Sequence, residues 1–303
     1  MHFNHISILG VGLIGGSFAL AARRAGIADR ITGRDSKEVL GEALSRGVID
    51  ETEEAFDSGR VCEADLVYLA APVGAISSFL RNRGNALKIG AIVTDAGSTK
   101  REICRVAREA LPGSVSFVGG HPMAGSHNSG VGHAHSELFQ GAPYALVASH
   151  SRSGSSDAIR TIEEVVRSIG AIPVELTAEE HDRVVARVSH APQLLATALA
   201  CAVARRRNDA DLRLAGNGFS EMVRLAASRW SVWEDICRTN ADEIAAALDE
   251  VISEIEGARS SIASGDFEGI ASKFKEANAM LESNSLRDRQ GSIAREEWTN
   301  PKR

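Results

Sequence analysis

The glycine run Gly10-Val11-Gly12-Leu13-Ile14-Gly15-Gly16 constrains this chain more than any other feature, because it stands between a β-rich run, His5–Leu9, and a segment of helical spacing, Leu13–Ala25. GxGxxG spacing in a strand, turn and helix context fits a dinucleotide-binding turn. Gly10 makes the tight turn, Gly12 lets the backbone approach a pyrophosphate and Gly15 lets helix and strand pack, while the helix opened by Leu13 and Ile14 aims its N-terminal amides at the phosphates. Asp35 closes the next β-rich run, Arg30–Arg34, at the spacing where an acid accepts hydrogen bonds from the adenosine ribose. A carboxylate there repels a 2′-phosphate, so NAD is expected rather than NADP, with the adjacent Arg34 as the one residue that favours the opposite choice. A turn of this kind also occurs with no ligand, or with S-adenosylmethionine.

Beyond Asp35 the pattern alternates. Lys37–Arg46 reads as helix, Asp65–Ala70 as strand, Val73–Ala86 as helix, Ala91–Thr94 as strand and Lys100–Leu111 as helix; Val115–Val118 and Tyr144–Val147 read as strands, Asp157–Ser168 as helix and Ile172–Glu175 as strand. Strands alternating with helices imply parallel pairing in a doubly wound sheet. After Thr177 the spacing is helical throughout, with Glu179–Arg206 bent only at Pro192, then Asp242–Gly257 and Phe267–Glu282. The expected fold is an α/β Rossmann-type doubly wound N-terminal domain over residues 1–176, an all-α C-terminal domain over 177–284 and a polar tail over 285–303, in which Trp298 is the dissonant residue.

Lys plus Arg number 34 against 40 Asp plus Glu, a formal net charge of −6, and no block of basic residues forms. Nucleic acid and anionic membranes need a concentrated positive stripe, so a small-molecule partner is expected instead. Hydrophobic content of 44% with 24% charged residues excludes general disorder. Cys62, Cys104, Cys201 and Cys237 lie too far apart for a CxxC pair or a dense disulfide framework and read as free thiols of a reducing cytosol. The apolar stretch Ile6–Ala22 follows no Lys or Arg and is broken by glycines, so it reads as neither a signal peptide nor a membrane span.

A nicotinamide-dependent chemistry would sit at the carboxyl ends of the strands, at the switch in strand order. Three segments fall there: Ala70-Ala71-Pro72, Asp95–Lys100 and Gly119–Ser126. Ala71 and Pro72 read as cofactor contacts. His121 is the candidate base, because imidazole takes up a proton near neutral pH as alcohol oxidation by hydride transfer requires; a purely structural histidine is the competing reading. Gly119 and Gly120 read as room for substrate and cofactor beside it. His133 and His135 form an HxH with no third ligand at zinc spacing and read as surface residues.

These segments in sequence, Ile8–Ser17, Leu66–Ile76 (LVYLAAPVGAI), Thr94–Lys100 (TDAGSTK), Gly119–Gly130 (GGHPMAGSHNSG) and Leu138–Leu146 (LFQGAPYAL), resemble the prephenate/arogenate dehydrogenase family of tyrosine biosynthesis. His181-Asp182, Ser189-His190-Ala191-Pro192 and Gly218–Asn240 (GFSEMVRLAASRWSVWEDICRTN) extend the resemblance to about Glu282. It implies a cytoplasmic homodimer, joined through its helical domain, that carries out NAD-dependent oxidative decarboxylation of prephenate. It also implies that His121 accepts the proton of the substrate's ring hydroxyl while hydride leaves the same carbon, and that Ser98 sits beside that hydroxyl and the nicotinamide. Arg224 matches the arginine that binds a substrate carboxylate, a task suited to its planar fork. Ser126, Ser189, His190, Gln193 and Trp233 match substrate-side positions, Gln193 standing where the family often has a second histidine. His127 replaces a frequent acid, which favours the keto acid prephenate over the amine of arogenate; arogenate and an amino-substituted analogue remain as alternative substrates. A β-hydroxyacid dehydrogenase would carry a catalytic lysine on a helix of the second domain, where this chain has only Lys273 and Lys275. A non-catalytic NAD-sensing module would need neither His121 nor Ser98. The lengths before Gly10 and after Glu282 lead to the expectation of no fused mutase or regulatory domain.

Overall fold

The structure is a computed structural model that describes residues 1–53, 63–125, 128–148, 155–206 and 213–283. Cys62, Ser126, His127, Trp298 and the tail over 285–303 lie outside the described residues. The chain divides into two compact units, Met1–Ile244 and Ala245–Arg303.

Eight strands form one sheet: β1 (Phe3–Leu9), β2 (Ala28–Arg34), β3 (Glu51–Thr52), β4 (Leu66–Leu69), β5 (Ile92–Asp95), β6 (Ser116–Pro122), β7 (Pro143–Ala148) and β8 (Ile172–Leu176), in the order β3-β2-β1-β4-β5-β6-β7-β8. The order reverses between β1 and β4, and a crevice opens at such a point. Every neighbouring pair is parallel except β6 and β7, which run antiparallel. Here the alternation rule misleads: no crossover helix is described between His121 and Pro143, only the 3-10 turn Val131–His133, so β7 returns directly beside β6. Pairing with β7 also lengthens β6 beyond the expected Val118, since Gly119, Gly120, His121 and Pro122 face Val147, Leu146, Ala145 and Tyr144. His121 therefore belongs to the strand instead of a loop after it.

That pairing gives the two glycines a packing role. A Cβ on Gly120 would lie 2.4 Å from the Asp95 carbonyl oxygen and 3.1 Å from the Tyr144 ring, and one on Gly119 would lie 3.2 Å from Cys104 Sγ. They serve close packing of β6 within the sheet.

Both faces of the sheet are covered, as parallel strands require. On β4 the alternation sends Leu66 and Tyr68 to one face and Val67 and Leu69 to the other, and all four are buried. The first face packs against α1 (Leu13–Arg24), α2 (Lys37–Ser45) and α5 (Ser155–Ser168) through Phe18, Ala22, Leu40, Ile162 and Val166. Phe18 stacks on Tyr68 with ring centroids 3.7 Å apart. The second face packs against α3 (Val73–Arg83) and α4 (Arg101–Ala110) through Ile76, Leu80, Ile103 and Val106.

The helical part begins at Thr177, whose hydroxyl accepts from Glu180 N while Glu180 Oε2 accepts from Thr177 N, a reciprocal capping box for α6 (Ala178–Val185). The single long helix expected over Glu179–Arg206 is instead α6, a π-helical turn Ala186–His190 and α7 (Ala191–Arg206). Pro192, at the start of α7, has no N–H to donate to the preceding turn, and the widened turn accommodates the loss. Next come α8 (Asn217–Val223), the 3-10 turn Arg224–Ala227, α9 (Trp230–Thr239), α10 (Ala241–Ser264) and α11 (Phe267–Ser283). No helix among the described residues is long and apolar enough to cross a membrane.

The glycine turn is built on backbone contact. Gly10 has φ +87°, and a Cβ there would lie 2.2 Å from the Ala70 carbonyl oxygen, while one on Gly15 would lie 1.9 Å from the Gly10 carbonyl oxygen. Neither neighbour can swing aside, because both are main chain. Gly15→Ala should therefore destabilise the protein by about 1–3 kcal/mol or more, the usual cost of overpacking, measured as a lower urea midpoint; an unchanged midpoint would mean that the turn is looser than these contacts require.

Candidate active site

The helices that follow β1, β2, β4 and β5 have N-termini that are satisfied differently. In α2 the Ser36 hydroxyl accepts from Val39 N. In α3 Gly74 N donates to Asp235 Oδ2 on α9 at 2.8 Å. At the start of α4 Lys100 N donates to Asp182 Oδ1 at 2.6 Å and Arg101 N to Asp182 Oδ2 at 2.9 Å, so a carboxylate from α6 caps it. Of these four helices α1 alone has, among the described residues, neither a capping side chain nor an acid in its first turn; it opens at Gly12, where a Cβ would meet nothing within 4 Å. Its amides, with those of Leu13 and Ile14, are open to an anion. Asp35 is exposed beside this turn, its Oδ2 accepting from Val11 N at 2.8 Å and its Oδ1 from Ser36 N at 2.7 Å. Arg34 is half-buried next to it, and Ala71 and Pro72 follow the Ala70 carbonyl that Gly10 abuts.

The candidate segments around Ser98 and His121 are held by the fully buried carboxylate of Asp95 at the end of β5. Gly97 N donates to its Oδ2 at 2.8 Å, Gly120 N to its Oδ1 at 3.0 Å, and the buried Lys100 ammonium pairs with Oδ2. One side chain thus fixes the backbone beside Ser98 and the backbone beside His121. Ser98 is half-buried.

His121 Nδ1 lies 2.9 Å from His181 Nε2, and His181 Nδ1 lies 2.8 Å from Asp182 Oδ1. Burial opposes charge on Asp182, but the His181 hydrogen bond and the amides of Arg101 and Lys100 outweigh it and hold the carboxyl below its usual range. Burial lowers both imidazoles: His181 sits below the ordinary histidine value, and His121 well below it with the cationic forms of His181, Lys100 and His190 adding to the effect. Near neutral pH both rings are uncharged beside an ionised carboxylate.

On the helical side His190 is buried in the π turn, its ring edge-on to Trp233 with centroids 5.8 Å apart. Asn240 is oriented unambiguously: Arg101 donates to its Oδ1 at 2.9 Å, so its Nδ2 donates to the Asp182 carbonyl at 2.8 Å and toward His190 Nδ1 at 3.3 Å. His190 Nδ1 accepts, and its proton is on Nε2. Gln193 is engaged at both ends of its amide, Nε2 donating to the Leu225 carbonyl at 2.6 Å and Oε1 accepting from Ser228 Oγ at 3.1 Å. It ties α7 to the 3-10 turn on which the exposed Arg224 stands. Ser189 is half-buried in the π turn, and Ser126 lies outside the described residues. The chain thus brings His121 together with His181, Asp182 and His190. Sequence reading assigned no role to Asp95, Lys100, His181, Asp182 or Asn240; the adjacent His-Asp pair was the one visible signal.

The chain matches the family model for the prephenate dehydrogenase nucleotide-binding domain over residues 18–175 and that for the prephenate dehydrogenase dimerization domain over residues 177–276. It is 36% identical over 288 residues to a prephenate dehydrogenase of Bacillus subtilis (strain 168), covering 94% of this chain and 77% of that protein. It is 33% identical to a cyclohexadienyl dehydrogenase of Zymomonas mobilis, covering 91% of this chain and 94% of that one. The crystal structure of prephenate dehydrogenase from A. aeolicus in complex with hydroxyphenyl propionate and NAD+ superposes with a TM-score of 0.87 at 27% identity, over 93% of this chain and 99% of that one.

The buried imidazoles make the site sensitive to acid. Burial pushes His190 down to about 4. Between the unfolded value near 6.5 and that folded value the unfolded chain binds protons that the native ring refuses, so stability is full above about pH 6.5 and falls as pH drops toward 4. Thermal midpoints should decline across this window, and His190→Gln should make the decline shallower; an identical pH slope in the variant would exclude His190 as a source.

Proposed function

Because the chain belongs to the prephenate dehydrogenase family, we propose that it is a cytoplasmic, homodimeric enzyme that converts prephenate to 4-hydroxyphenylpyruvate by NAD-dependent oxidative decarboxylation. The observation that carries this reading is the sharing of one sheet edge by an uncapped, glycine-opened helix and an uncharged histidine in a hydrogen-bonded chain. The residues at that edge fit a dinucleotide. Gly10, Gly12, Leu13, Ile14 and Gly15 would hold the pyrophosphate, Asp35 the adenosine ribose beside Arg34, and Ala71 and Pro72 the nicotinamide half. Bound NAD supplies the hydride acceptor.

The protein's own share of the reaction is to orient the substrate and move one proton. His121 takes the hydroxyl proton, Ser98 hydrogen-bonds the same hydroxyl, and His190 offers its Nε2 proton as a donor. Arg224 binds a carboxylate; among the described residues it has no ion-pair partner, unlike Arg101, Arg105 or Arg238. Trp233, Ser189 and Ser126 would line the pocket, and Gln193 would hold the Arg224 turn. Aromatisation on loss of CO2 drives the overall step, so positioning is the main demand on the site. Residues 1–176 would serve the cofactor, 177–284 the substrate and the dimer. For the dimer, α10 and α11 expose Ile252, Ile255, Ile262, Phe267 and Phe274. A second reading, arogenate as substrate, is supported by the cyclohexadienyl dehydrogenase relative.

The deciding experiment is NADH formation at about pH 8 with prephenate, arogenate and a 4-amino analogue; reduction with none of them would overturn the proposal. His121→Asn should lower kcat by roughly 10²–10⁴ with KM little changed, the usual worth of a general base. Arg224→Ala should instead raise KM about tenfold or more, since a charge-assisted hydrogen bond contributes about 1.5–3 kcal/mol. Cofactor choice is a separate check: NAD should be preferred, and Asp35→Ser should shift preference toward NADP in paired kcat/KM measurements. Equal use of both by the unaltered enzyme would contradict the role given to Asp35.

A further inference from the structure

We propose that His181 and Asp182 are positioning residues that fix which nitrogen of His121 carries its proton and that receive the positive charge when His121 takes up the substrate's. The proposal rests on the reading of His121 as the base.

The geometry determines the tautomers one bond at a time. Asp182 Oδ1 accepts from Lys100 N, and Oδ2 accepts from Arg101 N and, at 3.3 Å, from Arg101 Nε. An ionised carboxylate can only accept, so His181 Nδ1 must be the donor in the 2.8 Å contact. An uncharged His181 then has only a lone pair on Nε2, and in the 2.9 Å contact His121 Nδ1 must donate to it. An uncharged His121 is left with its lone pair on Nε2, the form in which imidazole can remove a proton. Were the chain reversed, Nε2 would already be protonated and His121 would be no base.

The same chain carries charge away. The substrate O–H bond breaks as the His121 Nε2–H bond forms, and the alkoxide pair closes to a carbonyl as hydride departs. The His121 Nδ1 proton passes to His181 Nε2, leaving His121 neutral and an imidazolium at His181 against the Asp182 carboxylate. Loss of CO2 pushes an electron pair back onto that oxygen, which takes the proton from His121 Nε2 as the other proton returns from His181 to His121 Nδ1, so the product leaves as the phenol and both rings regain their starting forms. The surrounding charges favour that resting place. His121 faces His181 from α6, Lys100 from the β5–α4 loop and His190 from the π turn, all of which oppose a cation on it. His181 faces the carboxylates of Asp182 and Asp95 as well as Lys100. Around Asp182 stand His181, His190 and Arg101, the last also paired with Asp242.

The test reads the tautomer directly, by two-bond 15N–1H correlation in the full-length protein with 15N-labelled histidine, His121 being assigned by its loss in His121→Asn. At pH 7 without substrate His121 should be protonated on Nδ1. In Asp182→Asn the amide NH2 that turns toward His181 should reverse the chain and move that proton to Nε2. There kcat should fall by roughly 10²–10⁴ with KM within about threefold, as loss of the productive tautomer does in a hydrolytic triad. The acid limb of kcat/KM should move to lower pH, which a merely structural defect would not produce. Protonation of His121 on Nε2 in the unaltered protein overturns the proposal with no need of the variant. So does a folded Asp182→Asn protein whose His121 tautomer is unchanged and whose kcat stays within about twofold. Because the spectrum needs no substrate, an Nδ1-protonated His121 in a protein that turns over none of the three substrates would count against the substrate assignment alone.

Discussion

An isolated carboxylate removed from water costs several kcal/mol unless donors surround it, and Asp95 is fully buried at the point where β5 meets the crevice. Its donors are the Gly97 amide, the Gly120 amide and the Lys100 ammonium. Satisfying this charge therefore forces the loop carrying Ser98 and the strand carrying His121 into one fixed relation. The glycines follow from the same demand. A Cβ on Gly97 would lie 2.9 Å from Asp95 Oδ2, and one on Gly120 would strike the Asp95 carbonyl. Breaking the pair by removing one partner would strand the other charge in the interior, so neither member can be lost alone at small cost.

A second accounting, of helix N-termini, joins the helical segment to the sheet. Asp235 and Asp182, from α9 and α6, supply the acceptors that α3 and α4 lack, and Arg101 gathers Asp182, Asn240 and Asp242. Thr99 and Thr239 add a hydroxyl contact of 2.8 Å between the same two regions. The residues proposed for the substrate side are thus hung on bonds that also complete the nucleotide-binding fold. Of the helices that follow β1, β2, β4 and β5, α1 is the one that no side chain caps among the described residues, and its amides are the ones an anionic cofactor can claim.

What could be read from the sequence was what depends on short spacing. The turn from Gly10 to Gly15 and its acid Asp35 are defined by local intervals, and His121 stood out as a histidine near a strand end. The antiparallel return of β7 was hidden because the rule linking alternation to parallel pairing has no term for a connection that contains no crossover helix. The packing role of Gly120 depends on Asp95 and Tyr144, residues about 25 positions upstream and downstream in the chain, and no spacing rule connects them. The step from His121 to His181 crosses 60 positions of sequence, with Asp182 next in the chain. A motif search sees its ends as separate fragments, and only the direction of each hydrogen bond turns them into one device.

The π turn Ala186–His190 carries a geometrical consequence for everything after it. One residue beyond the α-helical count advances the helix by about 100° of rotation, so the turn acts as a phase step between α6 and α7. Upstream of the step, His181 and Asp182 are set against the sheet; downstream, Gln193 is set against the turn that bears Arg224. A regular helix could not face both directions with the same residues. The proposed proton-handling and carboxylate-binding ends of the site are thus separately indexed on one continuous rod, and the inserted residue sets the angle between them.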